Sequence, residues 1–437
     1  MSSPPKRWFW APERSDYRKL WIAQSISFIG TQVTFIAFPL AAILALHADT
    51  WQVGVLNALE TAPMLLFGLV AGVLVDRWRQ RRLLITADWV RAVVMGSVPV
   101  AWAFDVLTVE WLWVVAFVVG VGTVFFDIAS QTVLTSIVDR DSLMPANQRL
   151  EASHSVAQTV GPGVAAGLLK VVSAPVAVAV DAVSFAVSAL FLHGIRSKDP
   201  EPEPSAEPTT LRSDLRAGFR FLAGSPFLRW IVSIAASWNL MLQTLVTIIF
   251  IYMARDLNLG SSKIAIVMFA GSATGLVAVL LVERINKVLG LGLGLAFATG
   301  LSAVGGILMA TASGASYAAV ATVAFGSILV SVAVPLFNVN VSTIRQAITP
   351  RELMGRTTAA VRFVVWSTMP LGALLGGFLG EVFGNRVTVA TAGVALLVPA
   401  LLTLLSPIRR IRDLSDAAPV GAAPGDEEIP EEAVRQG

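Results

Sequence analysis

Gly72-Val73-Leu74-Val75-Asp76-Arg77-Trp78-Arg79-Gln80-Arg81-Arg82 is a strongly basic turn between two long apolar runs, 52–75 and 83–104. Each run has the roughly 20 mostly apolar residues that a membrane helix needs. Arginine clustered beside an apolar span marks the cytoplasmic side of a bilayer. Asp76 among these arginines can cap a helix end and hold a charge network. Gly72, one turn earlier, lets another helix approach closely. The rest of the chain fits this setting. Of its 437 residues, 55% are hydrophobic and 14% charged, and the mean hydropathy is +0.72. A soluble domain carries about a quarter charged residues, so this is a polytopic membrane protein whose medium is the lipid bilayer. It has no cysteine, which excludes disulfides and thiolate metal sites. Met1 to Tyr17 is polar, and the apolar run after it is too long for a signal core, so that run reads as a retained anchor.

Twelve spans are predicted, at 19–46, 52–75, 83–104, 111–137, 147–170, 174–194, 226–253, 263–283, 289–312, 316–340, 354–380 and 386–406. Pro39, Pro63, Pro99, Pro162, Pro335 and Pro370 fall inside them, as bundled membrane helices allow. Among the 32 Lys and Arg residues, only Lys170, Arg255, Lys263 and Arg386 lie on segments of one side, and Arg91 and Arg362 lie within spans. All the others fall on the opposite side. That bias puts both termini in the cytoplasm, as expected of a multi-pass protein of the plasma (inner) membrane. Sorted by side in this way, the net charge of +3 leaves no nucleic-acid surface.

The predicted organisation is a cytoplasmic segment 1–18, a six-helix bundle 19–194, a cytoplasmic linker 195–225, a second six-helix bundle 226–406 and a disordered tail 407–437. The linker is Pro/Glu-rich from Asp199 to Thr210. Leu211, Leu215, Phe219 and Leu222 then recur at helical spacing opposite Arg212, Arg216 and Arg220, the pattern of an amphipathic helix on the membrane surface.

The opening stretch resembles the loop between helices two and three of the major facilitator superfamily, Gly-x-Leu-Ala-Asp-Arg-x-Gly-Arg-Lys. Gly72, Leu74, Asp76, Arg77 and Arg81 fall on matching positions, and Arg79 replaces the second glycine. Its Asp-Arg-Trp-x-x-Arg-Arg form is similar to the drug and siderophore exporter branch, which includes macrolide efflux and enterobactin export proteins. Gly161-Pro162-Gly163, running on to Gly167, resembles the helix-packing motif of span five in the antiporters, with a degenerate second half. Glu283-Arg284-Ile285-Asn286-Lys287 looks like an eroded second copy of the opening motif. The resemblance implies an all-α membrane protein with twelve transmembrane helices in two six-helix pseudo-symmetric halves around a cavity, working as a monomer. It also implies an inner gate in which Asp76, Arg81 and Asp127 act together, Asp76 facing the start of span eleven. Related exporters commonly carry an acid after the glycine of span one; here Thr31 follows Gly30.

Ionisable groups inside spans are costly and call for a partner or a role. Glu60 lies nine residues past Trp51, so about 13 Å into the membrane at the helical rise, with no cation near it in sequence. It is the candidate for proton coupling, against the alternative of a hydrogen-bonded structural carboxyl. Asp88 and Arg91, at i and i+3, are placed to pair near the inner end of span three. Arg362 with Trp366, and the polar or aromatic residues Gln32, Phe35, Asn57, Asn239 and Gln243, are candidates to line a cavity; scattered amides serve equally as interhelical hydrogen bonds. The three histidines are too dispersed for a metal site, and no Walker A loop, nucleophile constellation or cofactor motif is present. The expected protein is therefore a secondary transporter and not an enzyme. The leading reading is proton-coupled efflux of a small amphiphilic compound. The alternatives are an importer or facilitator in the same fold, and a membrane sensor or lipid-handling protein.

Overall fold

The computed structural model describes residues 15–138, 140–196, 219–349 and 354–413. The first half contains α1 (Ser15–Leu40, continued by a wider turn over Ala41–Ala45), α2 (Thr50–Arg77), α3 (Gln80–Ala103), α4 (Val109–Ile137), α5 (Arg140–Leu168) and α6 (Ala174–His193). The second contains α7 (Pro226–Ile251, extended to Asp256), α8 (261–289), α9 (291–311), α10 (Tyr317–Ile348), α11 (Met354–Phe383) and α12 (Asn385–Leu405). All twelve spans of the sequence reading correspond to helices. Several helices run past the expected limits: α5 begins at Arg140, and α10 continues to Ile348.

The turn between α8 and α9 is reduced to Gly290, whose φ of 77° breaks an otherwise continuous run. That left-handed conformation suits glycine, which has no Cβ to clash. Gly292 beside it lies against the Ile408 carbonyl, where a Cβ would sit 2.0 Å away. The backbone N–H of Leu291 and Gly292 donate to the carbonyls of Arg412 and Ile411, at 3.2 and 2.9 Å. The first residues of the expected disordered tail are thus ordered: Pro407–Arg410 forms a helical turn docked on this corner. Of the expected amphipathic helix only 219–224 is described, and it is helical. Phe219 meets the Phe363 ring of α11 edge-on at 6.1 Å, and Phe221 and Leu222 pack against the core. The described end of this segment therefore packs on the second bundle.

In the first half α1 packs on α5 and α6, and α3 on α4 and α6; in the second, α9 packs on α10 and α12, and α7 on α11. The halves meet where α2 packs on α11 and α5 on α8. Gly54 and Gly377 make the first contact possible, since a Cβ on Gly54 would stand 2.6 Å from the Gly377 Cα. Polar bonds join the halves at the end away from the termini. The Arg255 guanidinium donates to the Ala48 carbonyl, and Thr50 Oγ1 donates to Asn385 Oδ1 at 3.2 Å. The Trp51 N–H donates to Glu381 at 3.4 Å. Ser261 and Ser262 donate to the Leu169 and Ala166 carbonyls, each at 3.4 Å.

Candidate functional site

Between the halves lies a central cavity of about 910 Å³. It is sealed at the end just described and reaches toward the end that bears the termini. Every helix bundle buries its apolar stripe, so polar groups left on the inner wall need another reason to be there. The first half supplies four carboxylates, from Glu60 on α2, Asp127 on α4, Glu151 on α5 and Asp181 on α6. Glu60, Asp127 and Glu151 are exposed to the cavity. The second half supplies Trp238, Asn239, Asn338, Arg362, Trp366 and Met369, with one cation among them. The Arg362 guanidinium lies 5.6 Å from the Trp366 ring centroid, a cation–π distance. Among the described residues neither Glu60 nor Arg362 forms an ion pair. Trp238 stacks on Phe337 at 3.7 Å, and its buried indole N–H finds no acceptor among the described residues. Apolar and aromatic walls with a few polar groups are the usual lining of small-molecule sites.

Beside the cavity the first half carries a buried ionic network. Asp88 is fully buried and Arg91 is 3% exposed. Arg91 pairs with one Asp88 oxygen, and Ser188 of α6 donates to the other at 2.6 Å. The guanidinium sits between the Phe126 and Phe185 rings, 4.3 Å from each centroid. A buried pair is tolerable only when its remaining polar atoms are satisfied, and these partners on α4 and α6 do that in part. The sequence places this pair near the inner end of α3. It lies deeper, since Arg91 is eleven residues past Gln80, or about 16 Å along the helix.

Of the residues singled out in the sequence, Glu60, Asp127, Asn239, Arg362 and Trp366 share the cavity. The others are placed elsewhere. Gln32 packs its Cβ against Gly161 of α5, and Gln243 packs against Gly372 of α11. Phe35 meets Phe250 edge-on at 6.0 Å. The Asn57 carbonyl accepts from Thr61 at 3.0 Å. Pro162 is buried, while a Cβ at Gly167 would meet nothing within 4 Å, so Gly161 makes the close contact of that motif. The surroundings of Gly72 and the side chains of Asp76 and Arg77 lie outside the described residues. Arg81 donates to the Leu192 and His193 carbonyls at the C-terminus of α6, at 3.4 and 2.6 Å, where a cation suits the helix dipole. The cation acting on Asp127 is Arg91, ten residues from Arg81 and so about 15 Å along α3. In this conformation Arg81 and Asp127 stand apart.

The sequence reading misses Asp181 and Glu151. Asp181 stands in Ala177-Val-Ala-Val-Asp181-Ala-Val, as isolated in an apolar run as Glu60 is in its own. The rule for intramembrane charges applies to both. Glu151 follows the polar start of α5 and looks like a surface residue until the helix is seen to run from Arg140.

Comparison with known proteins agrees with this architecture. The family model described as Major Facilitator Superfamily matches residues 20–370. The multidrug efflux pump Tap of Mycolicibacterium fortuitum is 24% identical over 405 residues, covering 88% of this chain and 94% of that protein. The enterobactin exporter EntS of Shigella flexneri is 23% identical over 418 residues, covering 91% and 93%. Among solved structures, a bacterial homologue of the iron transporter ferroportin in an inward-facing state superposes with a TM-score of 0.70 at 16% identity, covering 89% of this chain and 98% of that one. A mutant of the nucleoside transporter NupG gives 0.73 at 12%, covering 89% and 99%.

Proposed function

We propose that this chain, which belongs to the Major Facilitator Superfamily, exports a small amphiphilic compound from the cell in exchange for protons. The observation that carries the reading is the central cavity: aromatic and apolar walls, carboxylates on one side that form no ion pair among the described residues, and a seal at one end only. The full-length similarity to Tap and EntS, both named as exporters, supports export over import. In this reading the positive-inside bias puts the unsealed end toward the cytoplasm, and the structure is an inward-facing state. The halves, 19–194 and 226–406, rock about the cavity so that it opens to one side at a time.

Glu60 is the coupling residue in this scheme. It is exposed to the cavity at mid-depth, with no cation paired to it among the described residues. Proton and substrate then occupy the cavity alternately. Each favours the opposite access state, which is the differential affinity any coupled transition needs.

Transport direction tests the reading. Respiring inverted vesicles that contain the protein should take up an amphiphilic dye such as ethidium, and the dye should dissipate the acid interior as it enters. A panel of neutral amphiphiles and catecholate chelators extends the same assay. Uptake into right-side-out vesicles, with none into inverted ones, would favour an importer. Tags at the N-terminus, at Pro204 and at the C-terminus should all report cytoplasm; one external tag would overturn the orientation.

A further inference from the structure

Asp181 has no part in the mechanism above, yet its surroundings set it apart. It borders the cavity from α6 and is 1% exposed. Ser184 Oγ donates to its Oδ1 at 2.9 Å. From α1, Gly30 lies so close that a Cβ there would stand 2.6 Å from that same oxygen and 2.2 Å from Ser184 Oγ. The missing side chain at Gly30 is what lets the carboxyl sit in the α1–α6 seam. Thr34, one turn further along α1, is 6% exposed and within hydrogen-bonding reach of the Asp181 carboxyl, but its buried hydroxyl completes no well-aligned bond among the described residues. The charged groups facing Asp181 from α3 are Asp88 and Arg91. Those two are already paired with each other, so the one local cation is committed. The other charged groups lining the cavity are the acids Glu60, Asp127 and Glu151 of the first half and Arg362 of the second. With two hydroxyls beside it and its nearest cation, Arg91, already paired, Asp181 sits in a pocket suited to a carboxyl that gains and loses a proton.

We propose that Asp181 is a second proton-exchanging carboxylate of the cavity, with Thr34 as the partner that follows its protonation state. Ionised, the carboxylate accepts from Ser184 and has room for a donor from Thr34. Protonated, it donates its own O–H to the Thr34 oxygen, the acceptor left idle here. The proton passes between the Asp181 carboxyl oxygen and cavity water, and no other covalent bond changes. The inference adds a second site to the proton-coupled reading and rests on it, but its test needs no transport.

The experiment is infrared difference spectroscopy of the purified protein in lipid nanodiscs, titrated across neutral pH without substrate. The wild type should show a protonated-carboxyl band that Asp181→Asn lacks and Glu60→Gln keeps. Thr34→Val should leave that band in place but shift its frequency, because the carboxyl loses its alternating partner. If Asp181→Asn does not fold, Asp181→Glu keeps the carboxyl and should move the band. A titration identical in wild type and Asp181→Asn overturns the proposal, as does a band that neither Thr34→Val nor Asp181→Glu displaces. A failure of coupled export in vesicles would not remove the band, so the two readings fail separately.

Discussion

In the first half, the polar pair buried between helices is ionic: Asp88 and Arg91, held by Ser188 and two aromatic rings. In the second half the matching pair is neutral, with Asn340 buried and Asn286 half-buried. Asn286 of α8 and Asn340 of α10 exchange two hydrogen bonds, at 2.6 and 3.1 Å. The cavity walls repeat the contrast. Four carboxylates come from the first half, whereas the second brings amides, tryptophans and one arginine stacked on an aromatic ring. The helix plan is shared, but the titratable chemistry is concentrated on one side. A rocking carrier gains from this division. One half can change charge while the other offers a surface that does not titrate near neutral pH.

The buried ion pair gives the strongest way to break the comparison. Arg91→Met leaves Asp88 buried without its cation, and removing one partner of a buried pair costs about 3–5 kcal/mol. Thermal unfolding of the purified protein should fall accordingly. A variant as stable as wild type would mean that the first half does not depend on its charges.

Gly377→Leu comes next. A side chain there runs into α2, since even a Cβ would stand 2.8 Å from the Gly54 Cα, and it should pry the sealed end apart. The chain has no native cysteine, so Thr61→Cys reports the change cleanly. In an otherwise wild-type protein an impermeant maleimide should reach it from the cytoplasmic side. With Gly377→Leu it should react from the outside as well. Unchanged labelling would show that the glycine contact does not make the seal.

Trp238→Ala tests the second half as a binding wall. It removes a stacked aromatic, and aromatic pairs contribute about 0.5–1.5 kcal/mol beyond their buried area. Ethidium binding should weaken by roughly up to tenfold, with the pH dependence of export unchanged. A shifted pH profile would blur the division between halves. Smallest is Asn286→Ala, which removes neutral hydrogen bonds worth about 1 kcal/mol each. It should lower the unfolding temperature slightly at any pH.

Much of this architecture is written in local patterns. Apolar runs of membrane length mark the helices, and the arginines at Arg77 to Arg82 mark a turn beside the membrane. The break between α8 and α9 is legible only roughly: the charged run Glu283 to Lys287 announces it, but the chain turns at Gly290, inside the expected ninth span. The site is less legible, because a residue's depth is set by where its helix starts and its facing by which neighbours it meets. Glu60 is found because one isolated acid in an apolar run is conspicuous, and Asp181 has the same signature. Gln32, Phe35 and Gln243 show the limit: polar or aromatic character does not say whether a side chain faces a cavity or a neighbouring helix. Gly161 and Gly372 take up two of them, and no spacing within α1 or α7 reveals those partners. That Asp127 lies within the electrostatic reach of Arg91 depends likewise on the relative height of α3 and α4.

The central claim is that proton exchange belongs to the first half, and dye-induced proton release from inverted vesicles tests it most directly. Wild type, Glu60→Gln and Arg362→Gln should be compared in parallel over a range of pH. Glu60→Gln cannot titrate, so it should abolish proton release and uphill export of ethidium while leaving downhill dye exchange intact. Arg362→Gln should weaken dye binding yet retain proton release with the wild-type pH profile. Uphill export by Glu60→Gln with unchanged pH dependence, or proton release lost only in Arg362→Gln, would contradict the account.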